Sequence, residues 1–314
     1  MRGNTVKLVP AALRDRIRLV LSGSSNEPPE WSVRLDEGDD GGFFAPGSAT
    51  WSVHGGMSTI VAGIRALLIQ ALHPGAMAGV HDHSRYKEDP LGRLAGTIRW
   101  IFTVSYGDTR TAIGTSNWVL KMHERVVGSY LDAHGAERPY SANDPELLSW
   151  VHLAFTDSFL ATAKLYGKPI PGGPDAYVRE WAKAGELMGV QNPPRSEAEL
   201  SSQLREYLDA GQLVYNERVA DAVSFIRRPP LGRSLMPGYA LLFAGAVASI
   251  PEPYRGMLRL RTPALGPIRL PVAAFTRLTL RVIAGTLEKD PPSELAARRR
   301  LARLGIDGPA ITPR

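Results

Sequence analysis

Seven histidines, at positions 54, 73, 81, 83, 123, 134 and 152, are the first places to look for chemistry in this chain. His123 stands out. It lies in WVLKMHERVVG with Val119 and Leu120 four and three residues before it and Val126 and Val127 three and four after. On a helix those four share its face. A neutral imidazole among apolar groups can bind iron as the axial ligand of a haem; it can equally be a core histidine hydrogen-bonded to a carbonyl. Arg93 and Thr97 are four residues apart, so one helix face carries both, with Trp100 and Val104 continuing it. Such a pair could fix a polar cofactor edge or an oxygen-derived ligand, or the arginine could simply pair with a carboxylate. Arg65, inside IRALLIQALHP, needs a partner for its charge, either a propionate or a carboxylate such as Asp157.

The segment 79–90 (GVHDHSRYKEDP) gathers His81, Asp82, His83, Glu88 and Asp89, all residue types that ligate zinc or non-haem iron. Its spacing argues against a closed site. His81 and His83 are two apart, which separates them around a helix, and no H-E-x-x-H motif supports them. A surface turn or the rim of a pocket is the expected role.

Helices must position these residues. Apolar periodicity and breaker residues predict helices over 58–72 (ended by His73-Pro74), 90–106, 109–127, 145–167, 174–188, 196–210, 214–227, 236–250, 271–287 and 292–304. Asn143-Asp144-Pro145 gives the clearest helix start. No alternating strand pattern of any length, no repeat and no βαβ rhythm is present, so the fold class expected is all-α. The stretch 22–47, with SSNEPPE and DEGDDGG, reads as part of a flexible lead-in over 1–42 that includes a short helix, with the body of the chain following over 43–250.

The 314 residues include no cysteine, which excludes disulfides, thiolate catalysis, iron–sulfur clusters and cysteine-ligated haem. Arginines interrupt the first 22 residues, and the longest apolar run, 239–250, is too short to span a bilayer, so a cytoplasmic location is expected. The net charge of +6 is concentrated in a basic extension, 251–314, with twelve Lys/Arg against five Asp/Glu. No nucleic-acid motif accompanies it. With surface charge and no inserted apolar face, at most weak, salt-sensitive contact with an anionic membrane is expected.

Taken together, WSVHG, GIRALLIQALHPGAMAGVHDHS, DPLGRLAGT, KMHERVVG and YSANDPELLSWVHLAFTDSFL resemble, in order and spacing, the catalytic domain shared by the MpaB-type oxygenases and the latex-clearing rubber oxygenases. The resemblance implies a globin-like helical core with added C-terminal helices, binding haem b and using O2 with an apolar, isoprenoid or lipid-like substrate and an electron donor. It implies His123 as the iron ligand, with Arg93 and Thr97 beside the haem. One departure is clear: the position before the threonine, which can carry a lysine in rubber oxygenases, is Gly96, so a distal ligand from that side chain is absent. Trp100, Ile101, Leu153, Phe155 and Phe159 are the expected pocket lining, and Arg65 a candidate for a propionate. Two rivals stand beside this reading: a non-catalytic helical module holding a hydrophobic ligand or haem, and a non-haem metalloenzyme built on His81 and His83.

Overall fold

A computed structural model describes residues 28–84, 89–265, 268–287 and 291–306. These are predominantly helical, as expected. Helix α1 (Glu30–Val33) runs into a short 3-10 turn (Arg34–Asp36). There follow α2 (Ala49–His54), α3 (Thr59–Gln70), α4 (Pro74–His83), α5 (Pro90–Tyr106) and α6 (Thr109–His123). A hairpin, β1 (Val127–Leu131) and β2 (Glu137–Ser141), leads into α7 (Pro145–Tyr166), α8 (Pro174–Leu187), α9 (Glu197–Asp209), α10 (Glu217–Arg227) and α11 (Met236–Ser249). The chain then forms α12 (Glu252–Met257), the two-residue strands β3 (Ala264–Leu265) and β4 (Ile268–Arg269), α13 (Val272–Ala284) and α14 (Pro292–Arg303). Among the described residues no single helix is long and apolar enough to cross a membrane.

The apolar α3 packs along α7 at the centre, burying Val61, Ala62, Leu68 and Ile69 against a helix that contributes Trp150, Leu153 and Leu160. Side-chain caps explain why helices begin where they do. Ser48, Asp89, Asp108, Ser196 and Asn216 each accept a hydrogen bond from a backbone N–H in the first turn. His73 does the same for α4, so His73-Pro74 both closes one helix and opens the next.

Three expectations change. First, α6 stops at His123 instead of continuing to 127. The β-branched pair Val126-Val127 and Gly128 favour an extended chain, and the Asp132 carboxylate accepts from the backbone N–H groups of His134 and Ala136 to build the hairpin's loop, with Gly135 at φ +82°. Second, His81 and His83 sit in the last turn of α4 and not in a surface turn. Third, the chain after residue 34 is no flexible lead-in. Leu35 and Phe44 are buried, and Arg300, on α14, donates to the carbonyls of Leu35 and Asp40. Residues 1–27 and Glu88 lie outside the described residues.

Candidate functional site at the open end of a helical hairpin

Helices α5 and α6 form an antiparallel pair joined by Gly107 and Asp108. Their facing residues are tightly packed near that turn. Val104 on α5 and Ala112 and Ser116 on α6 are fully buried. Farther from the turn, Trp100 is half-buried and reaches across so that its Nε1 donates to Ser116 Oγ at 3.2 Å. One turn farther, on the same line of α5, Thr97 is exposed, and a Cβ added at Gly96 or Gly114 would touch nothing. Packing between the two helices is thus tightest near their turn, and Arg93 and His123 lie at the other end.

Arg93 and His123 come together there, close enough for the guanidinium charge to act on the imidazole. His123 is the last residue of α6, half-buried, and its Nδ1 is buried with no hydrogen-bond partner. Burial lowers its pKa, with the Arg93 charge adding to the effect; Asn143 and the Ala142 carbonyl, beside the ring, oppose it. The outcome is a neutral imidazole at neutral pH. Asn143 mirrors this condition: its Nδ2 donates to the Leu120 carbonyl at 3.0 Å, yet its Oδ1 is buried and unpartnered. The sequence marks Asn143 as a helix boundary, and only the fold reveals that this boundary lies against His123. Thr97 Oγ1 donates to the Arg93 carbonyl at 3.3 Å, a local bond that leaves its oxygen able to accept. Trp118, Met122 and Val127, near His123 along the chain, are 60%, 50% and 51% exposed.

A half-buried, neutral imidazole beside a cationic side chain fits an iron-ligating histidine with a counter-charge for a haem carboxylate. Among the described residues no group of three or more His, Asp and Glu is arranged to hold a metal ion. His81 Nδ1 pairs with Asp82 at 3.0 Å and His83 Nε2 with the Val127 carbonyl at 3.0 Å, so both are engaged locally.

The remaining expected site residues lie elsewhere. Arg65 is 1% exposed and its guanidinium meets Asp157 at 2.6 Å, Ser158 Oγ at 2.9 Å and the Ser249 carbonyl at 3.3 Å. Of its two expected partners the carboxylate is the one present, because Arg65 lies on the buried side of α3, which packs against α7 and α11. Ile101, Leu153, Phe155 and Phe159 belong to the packed core and do not line an opening; the rings of Phe155 and Phe159 stack at 4.0 Å.

A family model described as ER-bound oxygenase mpaB/B'/rubber oxygenase, catalytic domain, matches residues 51–285. The chain belongs to this family. Its oxygenase-type catalytic domain spans α2 to α13 and contains the α5–α6 pair and every candidate site residue. Comparison with curated proteins and with solved structures gave no significant match.

Two other histidines of the oxygenase domain are buried with no part in the site. His54 Nδ1 donates to Ser105 Oγ at 2.7 Å, since the Ser105 hydroxyl is itself committed to the Ile101 carbonyl, and Nε2 then accepts from Tyr177 Oη at 3.1 Å. His152 lies against Gly185, where any Cβ would come within 2.9 Å of the ring, and its Nε2 has no partner. Burial pulls His54 down to about 3 and His152 to about 4. Both stay neutral in the folded state but take up protons on unfolding below their ordinary value of 6.5, so their stabilisation is complete above that pH and is lost as pH falls from there toward 4 and 3. Together they should cost about 4 kcal/mol of unfolding free energy between pH 7 and pH 5. Urea unfolding at the two pH values checks this, and a flat profile would contradict it.

Proposed function

We propose that the protein is a haem b-dependent oxygenase acting with O2 on an apolar small molecule. The observation that carries this reading is the half-buried, neutral imidazole of His123 beside the charge of Arg93, at the end of the α5–α6 pair away from its turn. When bound, haem iron supplies the activation of O2 that no side chain provides. The chain's own residues hold and orient. His123 would be the iron ligand, and Asn143 Oδ1 is the acceptor available to hold the Nδ1 proton, fixing the tautomer that presents Nε2. Arg93 would pair with a haem carboxylate, and the Thr97 hydroxyl, exposed one turn along the same helix, would hydrogen-bond a polar group beside it. The exposed side chains of Trp118, Met122 and Val127 suit an apolar substrate.

Those same apolar residues would also serve a non-catalytic module for a hydrophobic ligand. The absorption spectrum of the purified protein, with iron analysis, separates the two: an intense Soret band with stoichiometric iron is expected, and a colourless, iron-free protein from iron-replete cells would refute the haem reading.

Arg93 and Thr97 should then behave differently. Thr97→Ala removes one exposed hydroxyl and should lower turnover by roughly tenfold or more with haem content unchanged. Arg93→Ala removes the cationic partner of a carboxylate and should reduce both haem occupancy and activity. If neither variant differs from the parent in occupancy or turnover, the pair is structural.

A further inference from the structure

Helix α13 divides its residues sharply between two environments. Thr276 and Leu280 are buried toward α11, where Gly245 leaves room for the threonine, whose hydroxyl donates to the Val272 carbonyl of its own helix at 2.9 Å with the Leu241 carbonyl of α11 at 3.3 Å. On the opposite side Phe275, Leu278 and Val282 are 46%, 57% and 42% exposed. Their spacing, i, i+3 and i+7, makes them one continuous apolar stripe. Leu270, just before the helix, and Leu241 on the neighbouring α11 are also exposed. The chain leading into and through the stripe is basic: residues 258–287 include five arginines, at 259, 261, 269, 277 and 281, and no aspartate or glutamate, and Glu288 and Asp290 follow directly after. Arg281 is exposed on α13 itself, next to the stripe, whereas Arg277 donates to the Leu165 carbonyl at 3.0 and 2.8 Å.

The arginine run of α14, where the sequence points for membrane contact, is spent within the molecule. Arg298 pairs with Glu294 and lies over the Trp51 ring, Arg299 faces Asp36 at 3.5 Å, and Arg300 is buried. The apolar face missing from the expectation of weak binding is present one helix earlier.

We infer that α13 docks the protein on an anionic lipid bilayer, with Phe275, Leu278 and Val282 seated at the boundary between headgroups and acyl chains and Arg281 meeting the lipid phosphates and carboxylates. An exposed apolar stripe with an arginine beside it on one short helix is what such an interface selects. Charge argues against other occupants. Pairing this face with a second copy would set one arginine group against another, and residues 1–27 hold five Lys/Arg against two acidic residues, the wrong sign to cover it.

The test uses the full chain with vesicles of phosphatidylcholine alone or mixed with phosphatidylserine, read by cosedimentation. The wild type should bind the mixed vesicles and not the neutral ones, and added salt should weaken the binding without abolishing it. Phe275→Ser combined with Leu278→Ser removes only exposed side chains, so the thermal melt should be unchanged while vesicle affinity falls at least about tenfold. Arg281→Gln should weaken binding less, and more steeply at low salt. Three outcomes would overturn the inference: no binding of the wild type to mixed vesicles, equal binding by the double variant, or a solution dimer that the double variant converts to monomer, which would assign the face to a second copy.

Discussion

His123→Ala protein is expected to be purified with at least about tenfold less haem than the parent, measured as the pyridine complex, and with its resistance to urea essentially unchanged. The two halves of this result have one origin. The ring's polar neighbours are Asn143 and the Ala142 carbonyl, of which Asn143 keeps its bond to the Leu120 carbonyl, and the substitution falls at the last residue of α6, where a better helix former costs nothing. A histidine retained for the fold would give the opposite pattern, lost stability with haem retained. Equal haem content in the two proteins would remove His123 as the ligand.

Arg300→Met is expected to be the most damaging single change for the fold. The guanidinium is 1% exposed and donates to three carbonyls, of Leu35 at 2.6 Å, Tyr106 at 2.8 Å and Asp40 at 3.1 Å. Methionine keeps the packing of the stem and leaves all three carbonyls short of a charge-assisted bond, a loss of about 4 kcal/mol in unfolding free energy. Lysine cannot span the three acceptors and should recover less than half of it. Urea unfolding of the two variants provides the measurement, and a loss below about 1 kcal/mol for methionine would show that the carbonyls find other partners. Arg300 lies beyond the matched oxygenase domain, so the support it gives comes from a part of the chain that the family match does not cover.

Helix by helix, the fold was legible because breakers and caps are local signals: Asn143-Asp144-Pro145 marks a boundary that packing does not move. The β1–β2 hairpin was not legible. Its strands are short, and its place is set by α4, where Gly75 and Gly79 let Tyr130 and Tyr140 approach the helix backbone. No periodicity within either segment announces that contact. The same division holds at the site. Arg93, Thr97 and His123 could be selected from residue type, spacing and family resemblance, and the antiparallel α5–α6 pair does bring Arg93 and His123 to one end. Asn143 could not be selected, because its relation to His123 spans a hairpin. Arg65 shows the reverse case: a charge in an apolar helix demands a partner, and sequence offers no way to choose between Asp157 and a bound carboxylate. Arg300 hides in a run of three arginines, where nothing local distinguishes the buried one from its exposed neighbour.

The closed end of α5 and α6 behaves as the fixed end of a lever. Arg300 grips the Tyr106 carbonyl, and the backbone at Gly42 comes so near the Gly107 carbonyl that a Cβ there would lie 2.1 Å from it. Asp108 is held from the other side by Gly38, whose φ of +105° and lack of a Cβ leave the carboxylate its place. Helix α5, with 17 residues, is about 25 Å long, so one degree of tilt at the pivot moves its far end by about 0.4 Å. The spacing of Arg93 and His123 is thus geared to contacts a full helix length away. Substitutions at Gly38, Gly42 or Arg300 would shift that spacing without altering either side chain.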